Sequence, residues 1–87
     1  MDDEAVLRAK ADDAMRTSTL PSRRPDRTWS GPGIGLACAV CAQLVRRHDR
    51  EMQIQFEHAS RVPGFDLFQL HLRCFAAWEL ERRRVMR

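Results

Sequence analysis

Three cysteines and one histidine are spaced in a way that restricts the fold of this chain more than any other feature. The pattern is Cys38-x2-Cys41, then 29 residues, then His71-x2-Cys74, and it uses every cysteine in the sequence. A tight turn can direct two ligands separated by two residues at one ion, and residues three apart on a helix share a face. Thiolate and imidazole ligands in a closed set of four are typical of structural zinc. The pattern therefore predicts one zinc ion per chain, bound by Cys38, Cys41, His71 and Cys74.

Other interpretations of these residues remain open at this stage. The cysteines would be inert if they were small buried apolar residues and His71 faced solvent. A redox Cys-x2-Cys motif needs a strand–motif–helix setting, which the sequence around Cys38 lacks. Nothing in the spacing favours an iron–sulfur cluster. His58 follows a predicted strand and is an alternative fourth ligand, although it has no partner at turn or helix spacing.

The size of the chain indicates a small protein with a marginal core. A domain of 87 residues buries about two-thirds or less of its unfolded surface, and metals or disulfides often make up the shortfall. The acidic N-terminus is unlike a secretory signal, and no apolar run approaches the roughly twenty residues that span a bilayer. An odd number of cysteines cannot pair off, and a reducing compartment keeps thiols free. We therefore expect a cytoplasmic protein with no membrane partner.

The first 33 residues are expected to form a helix and a proline-rich arm outside the metal-binding domain. Residues 3–16 begin with acids that can cap a helix and continue with residues that tolerate one. Residues 17–33 contain three prolines and two glycines, which disfavour a continuous helix or sheet and predict a linker. Trp29 is expected to attach this linker to the core, because a large aromatic side chain favours apolar contacts.

Residues 34–87 are expected to form a small α+β domain that holds the zinc. Met52, Ile54 and Phe56 alternate with polar residues, which predicts a half-buried strand. The C-terminal segment shows helical periodicity, with Leu72 and Ala76 on one face. The expected elements are a knuckle at 36–45, a hairpin of strands at 52–56 and 65–70 joined by a loop at 58–64, and a helix at 71–84.

Four aromatic side chains are expected in the core of this domain. Their spacing is typical of core residues and not of a platform on which bases stack. Phe75 shares the helix face of Leu72 and Ala76, with Trp78 beside it. The expected aromatic core comprises Phe65, Phe68, Phe75 and Trp78.

The order of the ligands resembles that of treble-clef zinc fingers, in which a Cys-x2-Cys knuckle, a hairpin and a helix starting with His-x2-Cys follow one another. The spacer length and the segment His71-Leu72-Arg73-Cys74-Phe75 are similar to fingers of the poly(ADP-ribose) polymerase type and, more loosely, to one half of a LIM module. The resemblance covers roughly residues 36–80 and implies zinc at the four ligands. Fingers of the first type bind broken DNA ends, and LIM modules bind proteins. Residues 27–33 also resemble a segment of small bacterial proteins, which implies no function.

Two functions are compatible with these features. The first is an adaptor or regulatory module that binds a protein partner or self-associates through Trp29, Trp78 and the N-terminal helix. The second is a nucleic-acid-binding finger. The net charge of +3 permits this second function but does not require it, so protein interaction is favoured. The arginines that would contact nucleic acid are Arg46, Arg47, Arg50, Arg73, Arg82, Arg83 and Arg84.

No catalytic constellation is evident in the sequence. Four protein ligands leave a zinc ion no open position for substrate. The chain contains no asparagine, which argues against the His-Asn-His nucleases that also use treble clefs. We therefore expect a protein that is not an enzyme and has no small-molecule substrate.

Overall fold

The computed structural model describes residues 3–58 and 63–85, and these residues form an α+β fold. In chain order the elements are α1 (Glu4–Arg16), β1 (Arg27–Pro32), β2 (Arg50–Glu57), β3 (Phe65–His71) and α2 (Leu72–Val85). The strands form one antiparallel sheet in the order β1-β2-β3. The two expected helices and the hairpin of β2 and β3 are confirmed. Part of the expected loop at 58–64, residues 59–62, lies outside the described residues.

Helix α1 forms because its sequence supplies both a cap and a narrow apolar face. The carboxylate of Asp3 accepts a hydrogen bond of 2.9 Å from the backbone N–H of Val6, which satisfies a free donor of the first turn. Leu7, Ala11 and Ala14 recur every three or four residues and are buried. This face packs against α2, and α1 makes no comparable contact with the three strands.

Strand β2 lies at the centre of the sheet, and its alternating side chains define two faces. Ile54 and Phe56 are buried on the face that α2 covers, where the ring of Phe56 meets the edge of Trp78 at 6.1 Å between centroids. Residues opposite each other in an antiparallel ladder share a face. The opposite face, here called the outer face, carries Arg27, Trp29, Gly31, Glu51, Gln53, Gln55, Glu57, Phe65, Leu67 and Gln69.

The expectation of a linker over 17–33 is wrong for Arg27–Pro32, which forms β1. This strand lies at the edge of the sheet and pairs on one side only, so that a proline at its last position removes no necessary ladder bond. Trp29 does not attach the segment to the core, since 44% of its surface is exposed on the outer face. Leu20, which is buried, has that role.

The helix face that carries Leu72 and Ala76 is not the most buried face of α2. Leu72 is 47% exposed and Ala76 is exposed, whereas Ala77 and Trp78 are buried. The helix has two neighbours, α1 on one side and the sheet on the other, so its buried surface lies between them. Periodicity alone does not reveal how many elements pack on a helix.

The expected aromatic core is confirmed for some of its members. Trp78 is fully buried, and its indole Nε1 donates a hydrogen bond of 3.0 Å to the carbonyl of Pro21. Phe68 and Phe75 are partly buried against the core. Phe65 is 55% exposed on the outer face, where no described element covers it.

Neither described helix is long and apolar enough to cross a membrane. The division of the chain into an arm at 1–33 and a domain at 34–87 stays a prediction. Pairing of β1 with β2, and packing of α1 on α2, connect the first part to the second.

Candidate metal centre

The knuckle is a closed turn that fastens itself to the sheet. The backbone N–H of Cys38 donates to the carbonyl of Gln43 at 2.8 Å, and that of Ala42 donates to the carbonyl of Cys38 at 2.9 Å. Ala42 adopts a left-handed conformation with φ of 67°, which closes the turn. A hydrogen bond of 2.8 Å from Ala39 to the Gln69 carbonyl attaches the knuckle to β3. The turn thereby places its two cysteines beside the end of that strand.

The structure brings together the four residues that the sequence predicts as ligands. The side-chain ligand atoms of Cys38, Cys41, His71 and Cys74 all lie within 4.8 Å of one another. His71 Nδ1 is 3.4 Å from Sγ of Cys41 and 3.9 Å from Sγ of Cys74. His71 is the last residue of β3 rather than a residue of the helix, and Cys74 lies in the first turn of α2. Such a group could hold a metal ion.

Hydrogen bonding on the far side of the His71 ring fixes which nitrogen faces the cysteines. Nε2 lies 3.1 Å from the carbonyl oxygen of Leu44 and 3.8 Å from a carboxylate oxygen of Asp49. Both oxygens are acceptors, so Nε2 carries the proton and donates it. Nδ1 is the ring nitrogen that faces the thiols. A backbone carbonyl or carboxylate behind the ring is the usual way in which a metal-binding histidine is oriented.

The three thiols strongly influence each other's ionisation. A hydrogen bond from Cys74 lowers the pKa of Cys38 to about 4, against the opposing effect of burial. The same hydrogen bond to Cys38, together with burial and the negative charge nearby, raises the pKa of Cys74 far above its ordinary value. Burial also raises the pKa of Cys41. One thiolate thus suppresses ionisation of the other two, and a bound divalent cation would remove that conflict.

The two other histidines lie outside this group. Nε2 of His58 is 3.3 Å from a carboxylate oxygen of Asp66, and Nε2 of His48 is 3.8 Å from one of Asp49. His58 is thereby explained as the partner of an acid on the neighbouring strand. The geometry favours His71 over His58 as the fourth ligand.

Six of the seven arginines predicted to contact nucleic acid fall into two groups at opposite ends of β2. Arg46, Arg47 and Arg50 lie at or before its start, on the side of the candidate metal centre. The C-terminal end of α2 lies beside Arg27, whose ladder partner is Gln55. At about 3.3 Å per residue, the five steps from Arg50 to Gln55 separate these ends by roughly 17 Å.

Acidic residues accompany the second group of arginines. Arg82 and Arg83 share the carboxylate of Glu79, and Arg84 contacts both Glu81 and Asp12. Arg73 is exposed in the first turn of α2. The seven side chains therefore do not form one continuous cationic surface on the described residues.

Sequence reasoning missed the two groups that orient His71. A backbone carbonyl, here that of Leu44, has no signature in the sequence. Asp49 falls in a polar turn that predicts only solvent exposure, yet it also accepts a hydrogen bond of 2.9 Å from the backbone N–H of Arg46. The one sequence signal that could have identified Asp49 is its type and place, because an aspartate in a turn often closes that turn with a side-chain hydrogen bond.

No family model, curated protein or solved structure matches this chain. Its residues and their geometry alone carry the assignment of function.

Proposed function

We propose that the chain is a zinc-stabilised module that binds a protein partner through the outer face of its sheet. The zinc is structural. Tetrahedral zinc with Zn–S of about 2.3 Å and Zn–N of about 2.0–2.1 Å requires ligand atoms roughly 3.6–3.8 Å apart. The observed separations of 3.4 and 3.9 Å at His71 are close to that requirement. Three cysteines and one histidine also form a donor set that favours zinc over harder cations.

We further propose that the domain is a treble clef. The knuckle, the hairpin of β2 and β3, and a helix with Cys74 in its first turn occur in the order that this class requires. The additional strand β1 and the helix α1 would be elaborations of that unit. Four protein ligands would complete the zinc coordination, which leaves no position for a substrate and supports a role without catalysis.

The outer face supports protein interaction as the function. One face of the sheet packs on α2, and neither described helix packs on the other. Trp29, Phe65 and Leu67 are each at least 40% exposed there, among polar residues such as Gln53 and Gln55. Aromatic and aliphatic side chains within a polar surround are typical of interaction surfaces. Trp78 has no part in this surface, because it is fully buried.

A second candidate function, nucleic-acid binding, has one observation in its favour. A groove of about 530 Å³ at the end of α2 is lined by Arg24, Arg27, Arg82 and Arg83. Asp26 and Glu79 line the same groove and offset part of this charge. The separation of the two arginine groups and the acids among them make protein interaction the better-supported function.

Photo-crosslinking at matched positions tests the interaction function. Leu67 on the outer face and Leu80 on α2 are 40% and 45% exposed, so a photoreactive amino acid fits at either position. Zinc-loaded full chain carrying it at position 67 should give a discrete crosslinked species in cell extract, whereas position 80 should not. A product of twice the chain's mass would identify self-association. Equal labelling from both positions, or none from position 67, contradicts the proposal.

Titration with oligonucleotides tests the second candidate. Short duplex and single-stranded DNA and RNA are added to the zinc-loaded chain at two salt concentrations. Binding through phosphates would weaken steeply with salt, with a slope of about 0.9 per phosphate contact on duplex DNA. We expect no binding at physiological salt, and salt-dependent binding that Arg83→Ala reduces would favour nucleic acid instead.

A further inference from the structure

Glu51 has an unusual environment for an acidic residue at the start of a strand. Only 3% of its surface is exposed. One carboxylate oxygen, Oε2, accepts a hydrogen bond of 2.9 Å from the side-chain amide of Gln53. The other, Oε1, is buried and has no hydrogen-bond partner, and it is the one such side-chain atom found among the described residues. A buried carboxylate oxygen without a partner is costly, which indicates that something else satisfies it.

A cavity of about 150 Å³ lies beside this carboxylate, at the edge of the outer face. Its lining includes Trp29, Gly31, Ile34, Glu51 and Gln53. The ladder register places Gly31 directly opposite Glu51 and Trp29 opposite Gln53, so these residues share one face. A Cβ atom at position 31 would meet nothing within 4 Å. The glycine therefore leaves open space between the indole ring and the acid.

The chemistry of this cavity suits an organic cation. A carboxylate attracts a positive charge directly, and an indole face attracts one within about 6 Å of its centroid. The cation–π pairs found among the described residues are Arg23 with Phe56 and Arg82 with Trp78, so that neither uses Trp29. A divalent ion such as calcium requires six to eight oxygen ligands, and a single carboxylate does not supply them. An ammonium or guanidinium group needs only the acid and the ring.

We propose that this cavity, the Glu51 cavity, binds the ammonium or guanidinium group of a lysine or arginine side chain on the protein partner. The inference rests on the proposed function and specifies which chemistry the outer face recognises. In this arrangement Oε1, which has no other hydrogen-bond partner, accepts the hydrogen bond of the incoming cation. Trp29 then covers the alkyl stem of the incoming side chain, since lysine and arginine carry apolar stems below their charges.

Small blocked amino acids test the cavity without knowledge of the partner. The zinc-loaded, ¹⁵N-labelled full chain is titrated with Nα-acetyl-lysine methylamide and Nα-acetyl-arginine methylamide, with the norleucine analogue as the uncharged control. At least one cationic probe should shift the Trp29 indole signal and the Gly31 and Glu51 amides, while norleucine should not. The stronger of the two probes identifies the preferred head group. Absence of specific shifts with both overturns the inference.

Two variants and a matched control establish which groups bind the probe. Glu51→Gln keeps the shape and removes the charge, so it should weaken binding by about tenfold or more. Glu57→Gln, on the same strand and face but exposed, should leave binding unchanged. Gly31→Val fills open space and should abolish binding while zinc content and melting temperature stay constant. Binding to Glu51→Gln that equals the native affinity overturns the inference.

Comparison with the crosslinking experiment separates this inference from the proposed function. If the probes do not bind but position 67 still crosslinks a protein, the proposal that the Glu51 cavity binds a cationic side chain is wrong, and the interaction function stands. If the probes bind in the cavity but position 67 crosslinks nothing, the proposed protein partner is wrong, and so is the assignment of its side chain to the cavity.

Discussion

The two ends of the sheet are stabilised by different means. At the metal end, near Cys38 and His71, several large apolar side chains remain in solvent: Ile34, Leu36, Leu44 and Leu72 are 46–61% exposed. At the other end, Phe56 of β2 and Trp78 of α2 are buried against each other. Burial of large aromatic side chains stabilises the second end, while smaller buried residues such as Val45 and Leu70, backbone hydrogen bonds and the four clustered side chains hold the first. The first end therefore depends more on its four clustered side chains than the second end does.

Removal of the proposed zinc should have the largest effect, because it would eliminate the ion that holds the four clustered side chains together. Structural zinc contributes about 10–16 kcal/mol of apparent binding free energy in finger peptides, which exceeds the stability of most small domains. A strong chelator is expected to unfold residues 36–80, as measured by circular dichroism and by the chemical-shift dispersion of amide signals in NMR spectra. Cys74→Ser should reproduce this loss, whereas His58→Ala should not. Retention of the full structure after the metal has gone would contradict the comparison.

Truncation of the core aromatic tests the opposite end. Trp78→Ala removes a fully buried ring and its hydrogen bond to Pro21, and should cost about 3–5 kcal/mol of unfolding free energy. The folded fraction should still bind one zinc per chain, as measured by urea denaturation with metal analysis. Trp29→Ala is the control, since that ring is 44% exposed and its loss should cost less than about 1 kcal/mol. A larger effect at Trp29 than at Trp78 would reverse the assignment of core and surface.

The ion pairs between the helices should have the smallest effect. Burial would raise the pKa of Glu81, but hydrogen bonds from Arg8 and Arg84 outweigh it, so the pKa lies below the ordinary value. Because the folded pKa is lowered, these bonds stabilise the fold above the ordinary carboxyl pKa, and that stabilisation disappears as the pH falls through the lowered value. Glu81→Gln should cost about 1–2 kcal/mol at neutral pH, since Arg8 is partly solvated.

The control for this substitution lies on the same helix. Glu79 also contacts two arginines, but both belong to α2 itself, and pairs within one helix contribute only about 0.2–0.5 kcal/mol each. Urea midpoints measured from neutral to acidic pH should therefore respond more to Glu81→Gln than to Glu79→Gln. The Glu81 variant should also lose part of the pH dependence. Equal effects of both substitutions would mean that α1 is not held by this contact.

The candidate metal centre was more predictable than the fold around it. Metal ligation demands particular atoms at particular spacings, so that Cys38, Cys41, His71 and Cys74 could be selected from the sequence alone. The strand β1 could not be predicted from the sequence. A segment with Pro32 at its end becomes a strand only because it pairs with β2, which is distant in the sequence. Glu51 was missed for a similar reason. Its alternation with Met52 and Ile54 predicts an exposed acid, and only the folded chain shows that it is buried.

The contact between α1 and α2 has a consequence for the order of events during synthesis. Arg8 and Glu81 are 73 positions apart, yet their side chains meet at 2.7 Å. Helix α1 leaves the ribosome before α2, so its apolar face stays uncovered until α2 has emerged. A helix of 13 residues with a thin apolar stripe is only marginally stable alone, so α1 would fray during that interval. Binding of the proposed zinc at the knuckle and hairpin, completed when Cys74 emerges, would precede the docking of α1 and prepare the surface that receives it.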